Sequence, residues 1–403
     1  MGSTTPMSMS LIDALPIEGK RVLIRVDFNV PLEGGTVADD SRIRAALPTI
    51  QHAIDRGARV ILASHLGRPK GQVDPALSLA PAGEVLAGHL NREVYLSDRP
   101  VGPAATRLAR DLRDGQVMLL ENVRYHAGET KNDDTFARAL AELADFYVND
   151  AFGTAHRAHA STVGVAGHIR DKAAGYLIAR EVEALTRLLD APKAGFTAVL
   201  GGAKVSDKIA VIERLLGRVE RILVGGAMAY TFLRAQGHDT GDSRVEENHL
   251  DTATHILAQA ERHGVEVVLP VDHGAAEEFS SSASRVNVDA VDIPSGLMGL
   301  DLGAKTSALF AAHLSDAKTI FWNGPMGVFE FDQFAHGTRA VSDAVADSAA
   351  WAVVGGGDSV RAVTESGRAG DIAHISTGGG ASLEFLEGRD LPGLVALGIR
   401  RRK

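Results

Sequence analysis

The chain has 403 residues, more than one ordinary hydrophobic core accommodates, so two domains are expected. Hydrophobic residues make up 45% and charged residues 23%, which is typical of a globular protein and excludes disordered or collagen-like chains. Residues 1–180 carry 21 basic and 21 acidic side chains, while the whole chain has a net charge of −9. Neither half is basic, so nucleic acid is not an expected partner. Cysteine is absent, which excludes disulfides, thiolate metal sites and a cysteine nucleophile.

The sequence also bears on the cellular compartment. No apolar run reaches the roughly 18 residues that span a membrane. The first residues, MGSTTPMSMSLIDAL, lack the basic and apolar regions of a signal peptide, and residues 1–10 are expected to form a polar tail. We therefore expect a cytoplasmic protein that does not bind membranes.

Continuous apolar runs alternate along the chain with helical patterns. Such runs are typical of strands covered on both faces, and their alternation with helices indicates parallel sheets of an α/β protein. The predicted strands are Arg21–Val26, Ala58–Ser64, Gln116–Leu120, Asp145–Val148, Thr197–Leu200, Arg221–Val224, Glu266–Leu269, Thr319–Trp322 and Trp351–Val354. Predicted helices between strands are Leu47–Arg56 and Asp133–Leu143.

A further predicted helix, Ala179–Leu189, connects the two halves. Val182, Leu185 and Leu189 share one face of it, with charged residues opposite. No long Gly/Ser linker follows, so we expect two rigid domains, residues 1–180 and 181–389, joined by a hinge helix.

The first half contains five basic motifs, each of which lies after a predicted strand or in a connecting loop. Arginine suits phosphate and carboxylate because its planar fork donates two parallel hydrogen bonds. One such arginine would more often be a solvated surface charge, but the set favours a receptor for a small polyanion. The motifs are RVDFNVP from Arg25, Ser41-Arg42, SHLGRP from Ser64, Asn122-Val-Arg124 and AHRAH from Ala155.

The last of these motifs has a second interpretation. His156 and His159 are three residues apart and could bind a metal from one helix face. Because the motif contains no carboxylate, anion binding or structural hydrogen bonding is favoured.

The second half contains glycine-rich turns after predicted strands. In GGAKVSDK, from Gly201, the turn leads into an apolar helix, and Lys204 and Lys208 are expected on one helical face, where they could neutralise nucleotide phosphates. The spacing is not that of a Walker A motif. The runs GGGDS from Gly355 and STGGGAS from Ser376 allow backbone to approach a phosphate, and Asp358 is a suitable Mg²⁺ ligand.

These groups suit a particular reaction class. The sequence shows no evident Ser-His-Asp arrangement. Phosphoryl transfer to a group that is already anionic needs no general base, but it needs cationic side chains, backbone N–H groups and Mg²⁺ to position two anions. The motifs supply that set.

Together the motifs resemble the phosphoglycerate kinase family. RVDFNVP, SHLGRP, ENVRYH, NDAFGTAHRAHAS, LGGAKVSDKI, WNGPMGVFE, GGGDS and STGGGASLEFLEG occur in family order along nearly the whole chain. The resemblance implies two Rossmann-like domains with a cleft between them, and reversible phosphoryl transfer from 1,3-bisphosphoglycerate to ADP, giving 3-phosphoglycerate and ATP in glycolysis. It also implies that the C-terminal segment, from about residue 390, packs on the first domain, and we expect a monomer.

The resemblance further implies roles for individual residues. By this resemblance, the first domain binds 3-phosphoglycerate through Asp27, Asn29, Arg42, His65, Arg68, Arg124 and Arg157. The second domain is implied to bind ADP or ATP. Lys204 and Lys208 would contact the phosphates, Gly299 would lie near the base and Glu330 at the ribose. Phosphate and Mg²⁺ would be bound by Gly356, Gly357, Asp358 and Ser359. The transferred group would be stabilised by Arg42, Lys204, Gly378, Gly379 and Gly380.

Four positions depart from the family pattern. Ser359 replaces a frequent threonine but keeps the hydroxyl. Ala227, Leu297 and Ala304 replace a usual glycine, tryptophan and proline near the expected base pocket.

Two other functions remain open from the sequence. A different acid or sugar kinase would share the phosphate and Mg²⁺ chemistry, although the arginine cluster favours a doubly anionic acceptor. A non-catalytic nucleotide-binding protein would be favoured if Lys204, Asp358 or Arg42 were missing, and all three are present. A dehydrogenase is disfavoured because no G-x-G-x-x-G follows the first strand.

Overall fold

The computed structural model describes residues 9–400, so most of the expected polar tail lies outside it. The described chain divides into two compact units: unit 1 comprises residues 9–183 and 389–400, and unit 2 comprises residues 184–388. Within residues 9–400, no helix has the length and apolar character that crossing a bilayer requires.

Unit 1 is built on a parallel sheet. Within the described residues this sheet has six strands, and every adjacent pair is parallel. The strands of unit 1 are β1 (Arg21–Arg25), β2 (Leu32–Glu33), β3 (Thr36–Val37), β4 (Arg59–Ala63), β5 (Val94–Leu96), β6 (Val117–Leu119), β7 (Phe146–Asn149) and β8 (Lys172–Ala174). The sheet order is β5-β6-β4-β1-β7-β8, and β2 and β3 form a separate antiparallel pair.

Both faces of this sheet are buried. Val22 and Ile24 of β1 belong to one apolar cluster, whereas Leu23 between them belongs to another. Successive residues of a strand point to opposite faces, so helices must cover both sides. The helices are α1 (Ser41–Asp55), α2 (Ala80–Leu90), α3 (Pro103–Asp111), α4 (Asp134–Ala141), α5 (Val165–His168), α6 (Tyr176–Leu189) and a short C-terminal helix (Pro392–Val395).

Unit 2 contains a second parallel sheet with order β11-β10-β9-β15-β16-β17, and an antiparallel sheet with order β13-β12-β14. The strands are β9 (Phe196–Leu200), β10 (Arg221–Val224), β11 (Glu266–Val268), β12 (His273–Ala276), β13 (Val286–Val288), β14 (Met298–Leu302), β15 (Thr319–Asn323), β16 (Trp351–Gly355) and β17 (His374–Ile375). The parallel sheet has the strand order of Rossmann-type folds, which reverses between β9 and β15.

Most helices of unit 2 follow strands of its parallel sheet, but the helix Ala304–Ser315 follows β14 of the antiparallel sheet. The helices of unit 2 are α7 (Ile209–Leu216), α8 (Met228–Ala235), α9 (Leu250–Arg262), α10 (Ala304–Ser315), α11 (His336–Asp347), α12 (Gly357–Glu365) and α13 (Gly380–Glu387). Short 3-10 helices occur at Ile12–Ala14, Pro75–Leu77, Val123–Tyr125, Phe152–Thr154, Glu247–His249, Asp332–Phe334 and Ala369–Asp371, and a π-helical turn at Ala160–Gly164.

The expected α/β class and parallel sheets are confirmed, and each predicted strand matches an observed one within a residue at either end. Helix α1 differs from its prediction, since it begins at Ser41 and not at Leu47. Pro48 lies inside the helix, and the helix continues past it because Ile43, Ala46 and Ile50 bury one face of it. The connecting helix is α6, which begins at Tyr176.

Candidate active site

The basic motifs of unit 1 collect at the carboxyl edge of its sheet. Arg25 ends β1, His65 follows β4, Arg124 lies in the 3-10 helix after β6, and Arg157 follows β7. Carboxyl ends of parallel strands meet at one edge, which explains why distant motifs approach each other. Arg42 differs from the expectation of a loop residue, because it lies in the first turn of α1.

Asp27 and Arg42 form an ion pair at this edge. Arg42 Nη1 lies 2.9 Å from Asp27 Oδ2. Burial alone would raise the pKa of Asp27, but the charges of Arg42 and Arg25 and a hydrogen bond from the N–H of Asn29 lower it below its ordinary value. The carboxylate is therefore held ionised and in a fixed position.

Behind this pair lies Arg25, which is completely buried. Its Nη2 donates to His65 Nδ1 at 3.2 Å, and its Nε donates to Ser161 Oγ at 2.8 Å. Burial, together with the charges of Arg25, Arg124 and Arg42, lowers the pKa of His65 well below its ordinary value, although Asp27 opposes the shift. Because a guanidinium only donates, His65 Nδ1 must accept, and the neutral ring carries its proton on Nε2.

Asn29 and Arg124, which were also predicted to bind substrate, both form hydrogen bonds with the loop that contains Gly67. Asn29 Oδ1 accepts from the N–H of Gly67 at 2.8 Å, and Arg124 Nη1 donates to the carbonyl of Gly67 at 2.6 Å. The next residue, Arg68, is exposed. Burial, with the neighbouring charges of Arg25 and Arg157, lowers the pKa of Arg124 to about 10. The arginines therefore repel each other, and an anion among them would relieve that repulsion.

The metal interpretation of His156 and His159 is not supported. The segment that carries them leaves the 3-10 helix Phe152–Thr154 and is irregular, so the two rings do not share a helix face. Arg157 Nε donates to His156 Nε2 at 3.0 Å. Within residues 9–400, no cluster of His, Asp or Glu residues is suited to hold a metal by itself.

In unit 2 the glycine turns follow strand ends as predicted, but the two lysines do not share a helix face. Helix α7 begins only at Ile209, so Lys204 lies in the preceding loop and Lys208 is the residue that precedes the helix. The prediction was wrong because residues 201–208 form turns before the apolar helical pattern begins. Lys204 is exposed, which leaves its ammonium group accessible to an anion.

Lys208 instead contacts the end of a neighbouring strand. Its Nζ donates to Asn323 Oδ1, and Asn323 Nδ2 donates to the carbonyl of Gly355 at 2.8 Å. Burial lowers the pKa of Lys208 to about 8, although Asp207 and Asp358 oppose the shift. The ends of β15 and β16 are thus joined to the lysine loop.

Two helices of unit 2 begin at glycine runs. Helix α12 begins at Gly357 after Gly356, whose φ is +91°, and α13 begins at Gly380 after Gly379, whose φ is +53°. Both φ values favour glycine, and both turns direct backbone N–H groups outward from a helix start, which suits an anion. Ser359 is buried and its Oγ accepts from the N–H of Gly324 at 2.6 Å, while Asp358 is exposed.

The predicted base and ribose contacts lie on other elements of unit 2. The N–H of Gly299, on β14, donates to Ser243 Oγ at 2.8 Å, and a Cβ there would lie 2.1 Å from Tyr230 Oη. Glu330 forms a half-exposed ion pair with Arg361, at 3.2 Å. Of the substituted positions, Ala227 and Leu297 pack in one apolar cluster, and Ala304 begins α10.

Comparison with known proteins agrees with this geometry. The family model described as "Phosphoglycerate kinase" matches residues 12–389. The chain belongs to the phosphoglycerate kinase family. A phosphoglycerate kinase of Anaeromyxobacter dehalogenans (strain 2CP-C) is 56% identical over 393 residues, covering 97% of this chain and 99% of that protein. One from Clostridium novyi (strain NT) is 50% identical over the same shares of both chains.

Solved structures of the phosphoglycerate kinase family give the same result. The structure of phosphoglycerate kinase from Coxiella burnetii matches with a TM-score of 0.86 at 44% identity, covering 97% of this chain and 99% of that one. The crystal structure of the Pyrococcus horikoshii OT3 enzyme matches with a TM-score of 0.86 at 34% identity and the same coverage.

Several residues at these sites were not assigned from the sequence. Arg25 and Asn323 belong to recognised motifs, but the sequence predicted no function for either side chain. For Glu129, Ser161 and Arg361 it predicted no function at all. A signal for Arg25 existed, because an arginine at the end of the apolar run RVLIRV must find hydrogen-bond partners when the strand is buried. No comparable local signal marks Glu129, since its partner Ser161 lies 32 residues away.

Proposed function

We propose that this chain is a phosphoglycerate kinase that transfers a phosphoryl group reversibly between 1,3-bisphosphoglycerate and ADP, producing 3-phosphoglycerate and ATP in glycolysis. The observation that carries the proposal is the complementary chemistry of the two units. Unit 1 gathers arginines around Asp27 and His65, and unit 2 combines lysines with glycine-rich helix starts. An acyl phosphate and a nucleotide are ligands of those respective kinds.

In unit 1, 3-phosphoglycerate would bind through its phosphate and carboxylate. Arginine forks and the Nε2–H of neutral His65 donate hydrogen bonds to such groups, while Asp27 and Asn29 can accept from the substrate hydroxyl or position the loop. The mutual repulsion of Arg25, Arg124 and Arg157 supports the assignment. The residues assigned to this substrate are Asp27, Asn29, Arg42, His65, Arg68, Arg124 and Arg157.

In unit 2, MgADP or MgATP would bind at the glycine runs. Lys204 and Lys208 would neutralise phosphates together with the N–H groups of Gly356, Gly357 and Ser359. Gly299 would lie at the base, and Glu330 would accept hydrogen bonds from ribose hydroxyls.

Asp358 fits a magnesium ion bound with the nucleotide. Its exposed carboxylate supplies a hard oxygen ligand, and Mg²⁺ usually takes its other ligands from substrate phosphates and water. The ion would neutralise charge between adjacent phosphates.

For the transfer itself, we assign the stabilisation of charge to Arg42, Lys204 and the backbone N–H groups of Gly378, Gly379 and Gly380. The acceptor oxygen is already ionised at neutral pH, so no general base is needed. The contribution of the protein is to position both anions and offset their repulsion.

Because the two substrates are assigned to different units, transfer requires the units to approach and water to be excluded. Helix α6 connects residues of both units and is the proposed hinge. Small-angle scattering should show the radius of gyration falling when 3-phosphoglycerate and a non-reactive ATP analogue bind together, and falling less with either ligand alone. If the radius of gyration did not change when both ligands were shown to saturate the protein, closure of the two units would be contradicted.

The enzymatic proposal is tested by a coupled assay with 3-phosphoglycerate and MgATP. Turnover is expected with 3-phosphoglycerate, and little or none with sugars or monocarboxylic acids of similar size. Turnover of those acceptors alone would favour a different acid or sugar kinase, and nucleotide binding without turnover would favour a non-catalytic protein. We also propose a cytoplasmic location, because glycolytic intermediates are the proposed substrates. We propose that the protein is a monomer, and light scattering tests this oligomeric state.

A further inference from the structure

Ser161 is a buried hydrogen-bonding centre behind the arginine cluster. Its N–H and its Oγ–H both donate to the carboxylate of Glu129, at 2.9 and 2.6 Å. Its Oγ also accepts from Arg25 Nε at 2.8 Å, and its carbonyl accepts from Tyr147 Oη at 3.0 Å. Every polar atom of Ser161 is therefore engaged by a buried side chain, which fixes the residue in one orientation.

Glu129 is fully buried, and among residues 9–400 no arginine or lysine lies within ion-pair distance of it, although His159 Nδ1 lies 3.7 Å from its Oε1. A buried carboxylate is costly unless hydrogen bonds and nearby charge compensate for lost hydration. Here the compensation comes from Ser161 and, across Ser161, from the guanidinium of Arg25. The backbone carbonyl of Glu129 also accepts from the N–H of Ala160 at 2.9 Å, which ties it to the segment that follows His159.

The same arrangement occurs in unit 2. Glu246 Oε2 accepts from the N–H of Ser206 at 3.0 Å, and its Oε1 accepts from Ser206 Oγ at 2.7 Å. Burial would raise the pKa of Glu246, but the two bonds from Ser206 lower it below its ordinary value. Ser206 lies between Lys204 and Lys208, and the N–H of Glu246 donates to Thr231 Oγ1 on α8.

We propose that these two serine clamps, Glu129–Ser161 in unit 1 and Glu246–Ser206 in unit 2, are positioning devices for the cationic residues of their own units. The first fixes Arg25 and, through Arg25, keeps His65 Nδ1 as an acceptor and its Nε2–H as a donor. The second fixes the loop that carries the two lysines. The inference rests on the proposed function, because it assigns each clamp to one substrate.

The two clamps provide matched controls for each other. An amide in place of either carboxylate removes the charge and directs an N–H₂ group at a serine donor, so each clamp weakens in the same way. Glu129→Gln should raise KM for 3-phosphoglycerate by about tenfold and leave KM for MgATP within about twofold. Glu246→Gln should raise KM for MgATP or lower kcat severalfold, and leave KM for 3-phosphoglycerate unchanged.

The outcomes separate positioning from general destabilisation. Similar changes of both KM values in either variant, or no change in both variants, would overturn the proposal. Failure of the wild-type chain to phosphorylate 3-phosphoglycerate would instead overturn the proposed function.

A second variant covers the case in which Glu129→Gln does not fold. Ser161→Ala keeps both charges and removes only the hydroxyl between them. It should raise KM for 3-phosphoglycerate severalfold and change the imidazole ¹⁵N signals of His65, because Arg25 is released from Ser161 while Asp27, Arg42 and Arg124 still surround the ring. Unchanged His65 signals and an unchanged KM would show that Ser161 does not position Arg25.

Discussion

The two units present positive charge to their proposed ligands in different ways. In unit 1 the charge is on side chains that are themselves buried, such as Arg25 and Arg124, and hydrogen bonds hold them before any ligand arrives. In unit 2 much of it comes from backbone N–H groups at the starts of α12 and α13, together with the exposed Lys204. Unit 1 should therefore be sensitive to changes of charge, and unit 2 both to changes of backbone shape and to loss of the charge of Lys204.

The largest expected effect concerns Lys204, the exposed cation in the glycine-rich loop of unit 2. Lys204→Ala should lower kcat by about 10²-fold or more, because an electrostatic stabiliser of the transferring group is lost. KM for MgATP should change less, since the backbone N–H groups that we propose bind the phosphates remain in place. Steady-state kinetics distinguishes this from ground-state binding, which would raise KM and leave kcat unchanged.

The next effect concerns a buried carboxylate of unit 1. Burial raises the pKa of Asp150 to about 7, although its Oδ1 accepts from the N–H groups of Leu177 and Ile178 at the start of α6. Between about pH 4 and 7 the folded state therefore binds more protons than the unfolded state, so this residue makes stability fall as pH rises. Asp150→Asn should remove that fall and gain on the order of 2 kcal/mol relative to wild type between pH 4 and 8.

Denaturant unfolding at several pH values measures this difference. Asp301→Asn in unit 2 is the comparison, because burial also raises the pKa of Asp301, to about 6, but Arg285 Nη1 pairs with it at 2.8 Å. Loss of that pair should destabilise the protein at neutral pH. If Asp150→Asn and Asp301→Asn changed the free energy of unfolding in the same direction at neutral pH, the ion pair with Arg285 would not distinguish the two carboxylates.

The backbone dependence of unit 2 can be tested at Gly356. Its φ of +91° is unfavourable for alanine, and a Cβ would lie 2.8 Å from Asn323 Nδ2, beside the contact of Lys208. Gly356→Ala should raise KM for MgATP by about tenfold without changing KM for 3-phosphoglycerate. Gly370→Ala is the control, because its added methyl group meets no atom within 4 Å. Equal effects of the two changes would contradict the role of the turn.

The smallest effect concerns the pH dependence of nucleotide binding. Burial lowers the pKa of Lys208 to about 8, and bound phosphates should raise it again. Binding above about pH 8 must then take up a proton, so the affinity for MgADP should fall by roughly fivefold between pH 7 and 9. Calorimetry in two buffers of different ionisation enthalpy measures the uptake. Lys208→Arg should abolish it, and persistent uptake in that variant would assign the proton to another group.

The fold was largely predictable because its central strands contain continuous runs of apolar residues. Phe196–Leu200 is an example, since every residue in it is buried. Several strands, most of them at sheet edges, were missed because they are short or not apolar. Lys172–Ala174 contains a lysine and two alanines, and Val286–Val288 of the antiparallel sheet is mostly exposed.

The sites were predictable only as sets of motifs. Carboxyl ends of parallel strands must meet, so motifs after strands could be grouped without knowing their distances. Contacts such as that of Arg25 with His65 depend on side-chain packing between β1 and the loop after β4, which local sequence does not encode. The position of Lys208 before α7 was missed because helix starts shift by a turn when glycine turns precede them.

The path of the chain determines which of the two units can be completed first during translation. Unit 2 is continuous, whereas unit 1 receives residues 389–400 from the end of the chain. In that segment the N–H of Gly393 donates to the carbonyl of Ala155 at 2.8 Å, two residues before Arg157, and Leu397 packs against the core beneath. A ribosome therefore synthesises residues 389–400 only after all of unit 2, so a nascent chain can complete unit 2, the proposed nucleotide-binding unit, before unit 1, the proposed 3-phosphoglycerate-binding unit.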